Sequence, residues 1–246
     1  MANETTMNKL YDMRLSVLAK AYRDQDDDVA YSKIGFDERF SLLIDTEWDS
    51  RRINKRTRLL RSANFSISEA NIQDVRYDVD RKLDKAKIEE LARCKWVKDK
   101  LNVIVTGSTG AGKSWLSCAL GVCACNQFYS VRYARLPSIL DELAVARETD
   151  DYKRWQKRFI KCDLLIIDDW LLVKLSEKEA REVLEIIEAR HMISSTLLCS
   201  QYSPSGWHVK LGEGAIADAV IDRLVHNSHL IHIEGTESMR KRTSTI

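Results

Sequence analysis

The chain has 246 residues, 44% apolar and 31% charged, with a formal net charge of +2. These values exclude a disordered or collagen-like chain and fit one domain of ordinary size plus a smaller folded unit. Because the charge is nearly balanced, any nucleic-acid surface must arise from local clustering of bases.

The start, Met1 to Leu10, is polar and lacks the apolar stretch of a signal peptide. Apolar runs such as Leu164 to Ile167 fall far short of the roughly 18 residues of a membrane span. A soluble, unsecreted, cytoplasmic protein with no membrane partner is expected. The six cysteines, Cys94, Cys118, Cys123, Cys125, Cys162 and Cys199, form no CxxC pair and mostly lie in apolar segments. They are expected to be reduced core residues and not zinc ligands or disulfides.

Residues 1–65 are expected to form a small all-α domain that binds DNA or a partner. Phe36, Phe40, Leu43, Ile44 and Trp48 recur at three- and four-residue steps, and no Pro or Gly interrupts the stretch from Phe36 to Asn64. Residues 66–84 alternate acids and bases with a weak pattern, which suits a connecting strap. Residues 85–246 are expected to form an α/β domain. Asn102 to Thr106, Val131 to Arg135, Leu164 to Asp168, Thr196 to Ser200 and Leu230 to Ile233 are strand candidates, mostly separated by helical stretches. Such alternation predicts a parallel sheet sandwiched by helices.

The segment Gly107, Ser108, Thr109, Gly110, Ala111, Gly112, Lys113, Ser114 fits G-x-x-x-x-G-K-[ST], and it follows the first strand candidate and precedes a helical stretch. Glycines let the backbone curl so that its N–H groups face phosphate oxygens, and the following helix aims its positive end at the same place. Lys113 is then expected to reach the β- and γ-phosphates of ATP, and Ser114 to ligate Mg²⁺. A chance glycine turn is the bland alternative, and the strand and helix flanks argue against it.

Downstream, Asp163-Leu-Leu-Ile-Ile-Asp168-Asp169 is a buried-strand pattern that ends in two carboxylates. Alone it could be a solubilising turn. Beside a P-loop it reads as a Walker B strand, in which Asp168 holds Mg²⁺ through water and Asp169 orients or deprotonates the attacking water.

Together these segments resemble the IstB family of transposition helper ATPases, in the initiator branch of AAA+ proteins with the helicase loader DnaC. The likeness also runs through Ser130 to Pro137, Leu184 to His191, Ser195 to Gln201 and Ile221 to His226, and so covers most of the chain. It implies an AAA+ ATPase domain over residues 85–246 and three further catalytic roles. Ser200 falls at the sensor 1 position, Arg223 at the arginine finger that reaches a neighbouring subunit's nucleotide, and Arg240 at sensor 2. A capped strand end and two surface arginines are the alternative readings. The pattern departs from most AAA+ proteins in ending Walker B with Asp168-Asp169 in place of Asp-Glu, which suits slow hydrolysis and a timer more than a motor.

Two basic clusters are candidates for DNA contact. Arg51, Arg52, Lys55, Arg56, Arg58 and Arg61 crowd one expected helix with no acid among them, while Asp37 and Glu38 lie near its start. Phosphate binding, a solvated face that offsets the helix dipole and a docking surface all fit that pattern. Lys153, Arg154, Lys157, Arg158 and Lys161 form a second row, just after the segment that in initiator-type relatives forms a helical insertion facing DNA. No base-reading motif accompanies either cluster, so weak sequence preference is expected.

The function this implies is an ATP-dependent, double-stranded-DNA-binding regulator of transposition. It would form a homo-oligomer, ring or helical, on target DNA and recruit or stimulate an IstA-like transposase. A replicative helicase loader of DnaC type is the alternative. A small-molecule P-loop kinase is a third reading, against which no acceptor-binding lid is evident.

Overall fold

The computed structural model describes residues 3–235 and Met239, and its chain separates into two compact units, Met1–Arg58 and Leu59–Ile246. The first unit is helical. It contains α1 (Glu4–Asp12), α2 (Ser16–Asp27), a single 3-10 turn over Val29–Lys33, and most of α3 (Phe36–Ala63). The Asn3 side chain caps α1 by accepting from Thr5 N at 3.0 Å. The start of α2 has no cap of its own, and the buried Glu47 carboxylate of α3 accepts from Leu18 N at 2.9 Å instead. Of the five apolar residues whose spacing predicted α3, only Leu43 is buried; Phe36, Phe40, Ile44 and Trp48 are exposed. The helical period is therefore present without a buried apolar face.

The second unit begins inside α3, whose last residues Leu59, Leu60 and Ala63 join the core of this unit. The segment that follows holds only two short 3-10 turns, Ile72–Asp74 and Val79–Arg81, before α4 (Lys85–Ala92) and α5 (Lys95–Lys98). From there strands and helices alternate: β1 (Asn102–Gly107), α6 (Lys113–Asn126), β2 (Val131–Arg135), α7 (Leu136–Glu148), α8 (Tyr152–Phe159), β3 (Leu164–Trp170) and α9 (Glu177–Arg190). β4 (Ser195–Ser200), α10 (Trp207–Lys210), α11 (Gly214–Val225) and β5 (Ser228–Ile233) complete the described order.

The five strands form one parallel sheet in the order β2-β3-β4-β1-β5. Successive residues alternate between two cores, as the period of two requires. Val103, Val105, Leu164, Ile166, Leu197 and Cys199 face one core with α6, while Ile104, Leu165, Ile167 and Leu198 face the other with α7, α9 and α11. Helices on both faces explain why the strands read as continuous apolar runs. The carboxyl ends of β1, β3 and β4 lie side by side, the place where open α/β sheets bind ligands.

Five of the six cysteines are buried and Cys123 is half-buried; all are free thiols. Burial raises the pKa of Cys94 and of Cys125 to about 12, which keeps them protonated and unreactive. Among the described residues no helix is long and apolar enough to cross a membrane.

Candidate nucleotide site

The loop between β1 and α6 takes a path that side chains would obstruct. At Gly107 φ is +152°, and a Cβ there would lie 2.5 Å from the Ile233 carbonyl oxygen on β5. At Gly112 φ is +93°, a left-handed conformation costly for other residues, and the helix starts at the next residue. The loop thus wraps over the N-terminus of a 14-residue helix, where unpaired N–H groups and the helix dipole favour an anion.

Lys113 is buried, and its Nζ donates to the carbonyls of Gly107 at 2.9 Å and Ser108 at 2.8 Å. Burial lowers its pKa, against the opposing pull of Cys199, Asp168 and Asp169. The ammonium is therefore folded onto its own loop. Beside it a cavity of about 470 Å³ is lined by Gly110, Gly112, Lys113, Ser114, Trp115 and Met239, and by Ile67, Glu69, Asp74, Arg76 and Arg81. The volume lies within the range of small-molecule sites. Five of these lining residues, Ile67, Glu69, Asp74, Arg76 and Arg81, lie in the stretch 66–84.

Asp168 ends the regular part of β3, opposite Arg135 of β2. Its carboxylate is buried, accepting from the Tyr133 hydroxyl at 2.6 Å and from Asp169 N at 2.9 Å. Burial and the neighbouring carboxylate push the Tyr133 phenol well up, so it remains a donor and holds Asp168 in place. After Asp168 the ladder slips between Ile167 and Trp170, and Asp169 adopts a φ of +53°. This irregularity turns two consecutive acids to different surroundings: Asp168 is buried, whereas Asp169 is partly exposed with its Oδ2 3.5 Å from Arg135 Nε.

Ser200 lies at the end of β4, fully buried. Its hydroxyl donates to the Trp170 carbonyl at 3.1 Å and accepts from Tyr202 N at 3.1 Å and Trp207 Nε1 at 3.2 Å. The oxygen ties β3, β4 and α10 together at the end of the sheet. Arg223 sits on α11, outside the cavity wall, donating to the Ala219 carbonyl at 3.0 Å and to Glu188 Oε1 at 2.7 Å. Arg240 lies outside the described residues.

The donor set suits Mg-ATP. Ser114 and Asp168 offer the hard oxygen ligands that Mg²⁺ prefers, and the loop offers backbone N–H groups to phosphate. Sequence reasoning missed Arg81, Tyr133, Arg135 and Trp207, each of which holds a part of the site. Tyr133 and Arg135 lie within the family-like stretch Ser130 to Pro137, but no spacing gave any of the four a role, because their roles depend on which strands and turns become neighbours.

Both basic clusters are exposed in part. On α3, Arg51, Arg52, Lys55, Arg56 and Arg58 are exposed, with Arg51 bonded to Glu47 at 2.6 Å and Arg52 stacked 5.8 Å from the Trp48 ring centre. On α8, Lys153, Arg154 and Lys157 are exposed while Trp155 and Phe159 are buried, and Arg158 pairs with Glu142 at 2.7 Å.

Residues 8–246 match the family described as IstB-like ATP binding protein. The insertion sequence ATP-binding protein y4pL of Sinorhizobium fredii is 39% identical over 236 residues, covering 96% of each chain. The ATP-binding protein of insertion sequence IS1162 from Pseudomonas fluorescens is 36% identical over 205 residues, covering 83% of this chain and 89% of the relative. Among solved structures, the DnaC helicase loader superposes with a TM-score of 0.57 at 17% identity, over 67% of this chain and 97% of that one. The replication initiator DnaA, bound to AMPPCP and single-stranded DNA, superposes with a TM-score of 0.58 at 19% identity, over 70% of this chain and 52% of DnaA. The chain spans about half of DnaA, and the likeness to both structures is one of fold. With its P-loop, its strand ending in Asp168 and Asp169, and a family match over nearly its whole length, the chain belongs to the IstB-like ATP-binding proteins, on a fold shared with DnaC and DnaA.

Proposed function

We propose that the protein is an ATP-dependent DNA-binding regulator of transposition, which assembles on target DNA and recruits or stimulates the transposase of its insertion sequence. The observation that carries this reading is the union, in an insertion-sequence family, of an ATP site with exposed rows of bases on α3 and α8. The curated relatives favour transposition over helicase loading, because those most similar are named for insertion sequences. A small all-α domain over residues 1–65 would contact DNA or the transposase, and the strap over 66–84 would join it to the ATPase domain over 85–246.

In hydrolysis, the loop N–H groups and Lys113 bind the phosphates; Ser114 and Asp168 are the residues that would hold Mg²⁺, which would supply positive charge against that developing on the phosphoryl oxygens. Tyr133 keeps Asp168 aimed. Asp169 orients the attacking water, and Arg135 limits its swing. Ser200, whose hydroxyl is taken up by Trp170, Tyr202 and Trp207, acts as a positioning residue between β3 and β4. A sensor 2 role for Arg240 follows from the family likeness.

Asp169→Asn is expected to leave ATP affinity within about twofold and to lower turnover by about 10²-fold, the usual share of a general base. Asparagine also tolerates a positive φ, so the backbone at this position is not strained by the change. Single-turnover hydrolysis beside a binding titration separates the two effects. Equal turnover in variant and parent would remove Asp169 from the mechanism.

DNA affinity is expected to rise with ATP and to fall steeply with salt. Arg52→Glu with Arg56→Glu is expected to weaken binding at least about tenfold and to lower the salt slope by about 2, roughly one per lost phosphate contact. Fluorescence anisotropy over a salt series measures both. If neither moves, α3 is not the contact surface, and Lys153, Arg154 and Lys157 on α8 become the residues to reverse. Co-purification with the neighbouring transposase, against a replicative helicase as competitor, decides the partner.

A further inference from the structure

The phosphate loop is held by its carbonyl oxygens. Those of Gly107 and Ser108 accept from Lys113, that of Gly110 accepts from Met239 N at 2.9 Å, and that of Ala111 accepts from Nη2 of Arg81 at 2.9 Å. The last contact comes from outside the motif altogether. Arg81 ends the 3-10 turn Val79–Arg81 in the segment before α4, and it is only 5% exposed.

The residue is held through both its guanidinium and its backbone. Nη1 donates to the Arg76 carbonyl at 2.5 Å, and the Arg81 carbonyl accepts from Glu234 N at 3.2 Å, just beyond β5. The adjacent Lys82 pairs with Glu234 at 2.7 Å. A planar fork held in this way delivers a donor to one place, which a flexible chain does not.

We infer that Arg81 is a positioning residue for ATP: by holding the Ala111 carbonyl, it presets the Ala111–Gly112 peptide plane so that the Gly112 N–H faces the phosphates. A trans peptide points its C=O and N–H in opposite directions, so fixing one fixes the other. The need is greatest here. Gly112 has a φ of +93° and the loop carries three glycines, so its backbone has more alternatives to lose than that of other residues. A Cβ at Gly112 would come within 3.1 Å of Arg81 Nη2, which shows how closely the guanidinium covers this peptide. Preorganisation of this kind lowers the cost of binding without any new contact to the ligand.

The inference rests on ATP occupying this loop, and the test reads the two separately. In the full-length protein, Arg81→Ala is expected to raise the dissociation constants of ATP and ADP alike, each about tenfold, because the Gly112 N–H serves phosphates that both nucleotides carry. Arg81→Lys is expected to recover most of this and to bind about threefold more weakly than the parent, since one ammonium can reach the Ala111 carbonyl but not also that of Arg76. Turnover at saturating ATP is expected to stay within about twofold, because a preset loop serves ground state and transition state equally. A merely structural role would instead lower the melting temperature and turnover together, with Lys no better than Ala.

Nucleotide affinity within twofold of the parent in a folded Arg81→Ala protein overturns the inference, and so does a Lys variant that recovers nothing. Should Arg81→Ala fail to fold, Arg81→Lys decides alone: about threefold weakening supports the role, and unchanged affinity overturns it. The parent's own ATP binding, with Lys113→Ala as its control, reports on the loop's assignment independently.

Discussion

Lys113→Ala is expected to weaken ATP binding by about a hundredfold or more while leaving the protein folded. The side chain lies buried with its ammonium on the Gly107 and Ser108 carbonyls, 2.9 and 2.8 Å away. A charged group so placed is poorly solvated, which is why its pKa falls. Phosphates would add counter-charge to that of Asp168 and Asp169, and two charge-assisted hydrogen bonds at about 1.5 kcal/mol or more each give the expected loss. The same reasoning fixes a sign with pH. ATP prefers the protonated lysine, so affinity should decline as pH rises through the lowered pKa of the free protein, and binding in that window should take up protons. Trp115, on the cavity wall, offers a fluorescence signal for the titration. Unchanged affinity in a folded Lys113→Ala protein would falsify the assignment of this loop.

Much of this site was legible in the sequence, for reasons the fold explains. The five strands stood out because helices cover both faces of the sheet, leaving unbroken apolar runs such as Leu164 to Ile167. The phosphate loop stood out because its glycines meet local needs, such as the close approach of Gly107 to Ile233. What stayed hidden depends on residues far apart in the chain. Tyr133 on Asp168, Trp207 on Ser200 and Arg81 on Ala111 are contacts between elements whose adjacency no spacing reveals. The Walker B pair shows both sides: two acids after an apolar strand were evident, but the slip in the ladder that buries Asp168 and leaves Asp169 partly exposed was not. On α3 the period signalled a helix correctly yet said nothing of burial, since Phe36, Phe40, Ile44 and Trp48 keep the spacing of a core face while remaining exposed.

Arg223→Ala is expected to lower ATP turnover by about 10³-fold with ATP affinity nearly unchanged, because an arginine on the γ-phosphate stabilises charge that develops in the transition state. Within one chain Arg223 is not among the residues that line the cavity, and it is held by Glu188 and the Ala219 carbonyl. The role proposed for it is therefore at another subunit's nucleotide. The ion pair that restrains it is partly exposed, with side-chain exposures of 29% and 48%, so releasing it costs at most about 1 kcal/mol, small beside the gain expected in catalysis. Glu188→Gln provides the control: it frees the guanidinium, and turnover should hold or rise if the arginine works at a neighbour. The decisive measurement mixes Arg223→Ala with Lys113→Ala. In such a mixture an intact ATP site on the first variant meets an intact arginine on the second, so turnover should return in part, and in proportion to mixed interfaces. A mixture no more active than its components, despite demonstrated co-assembly, would place Arg223 outside the active site and leave hydrolysis to a single subunit.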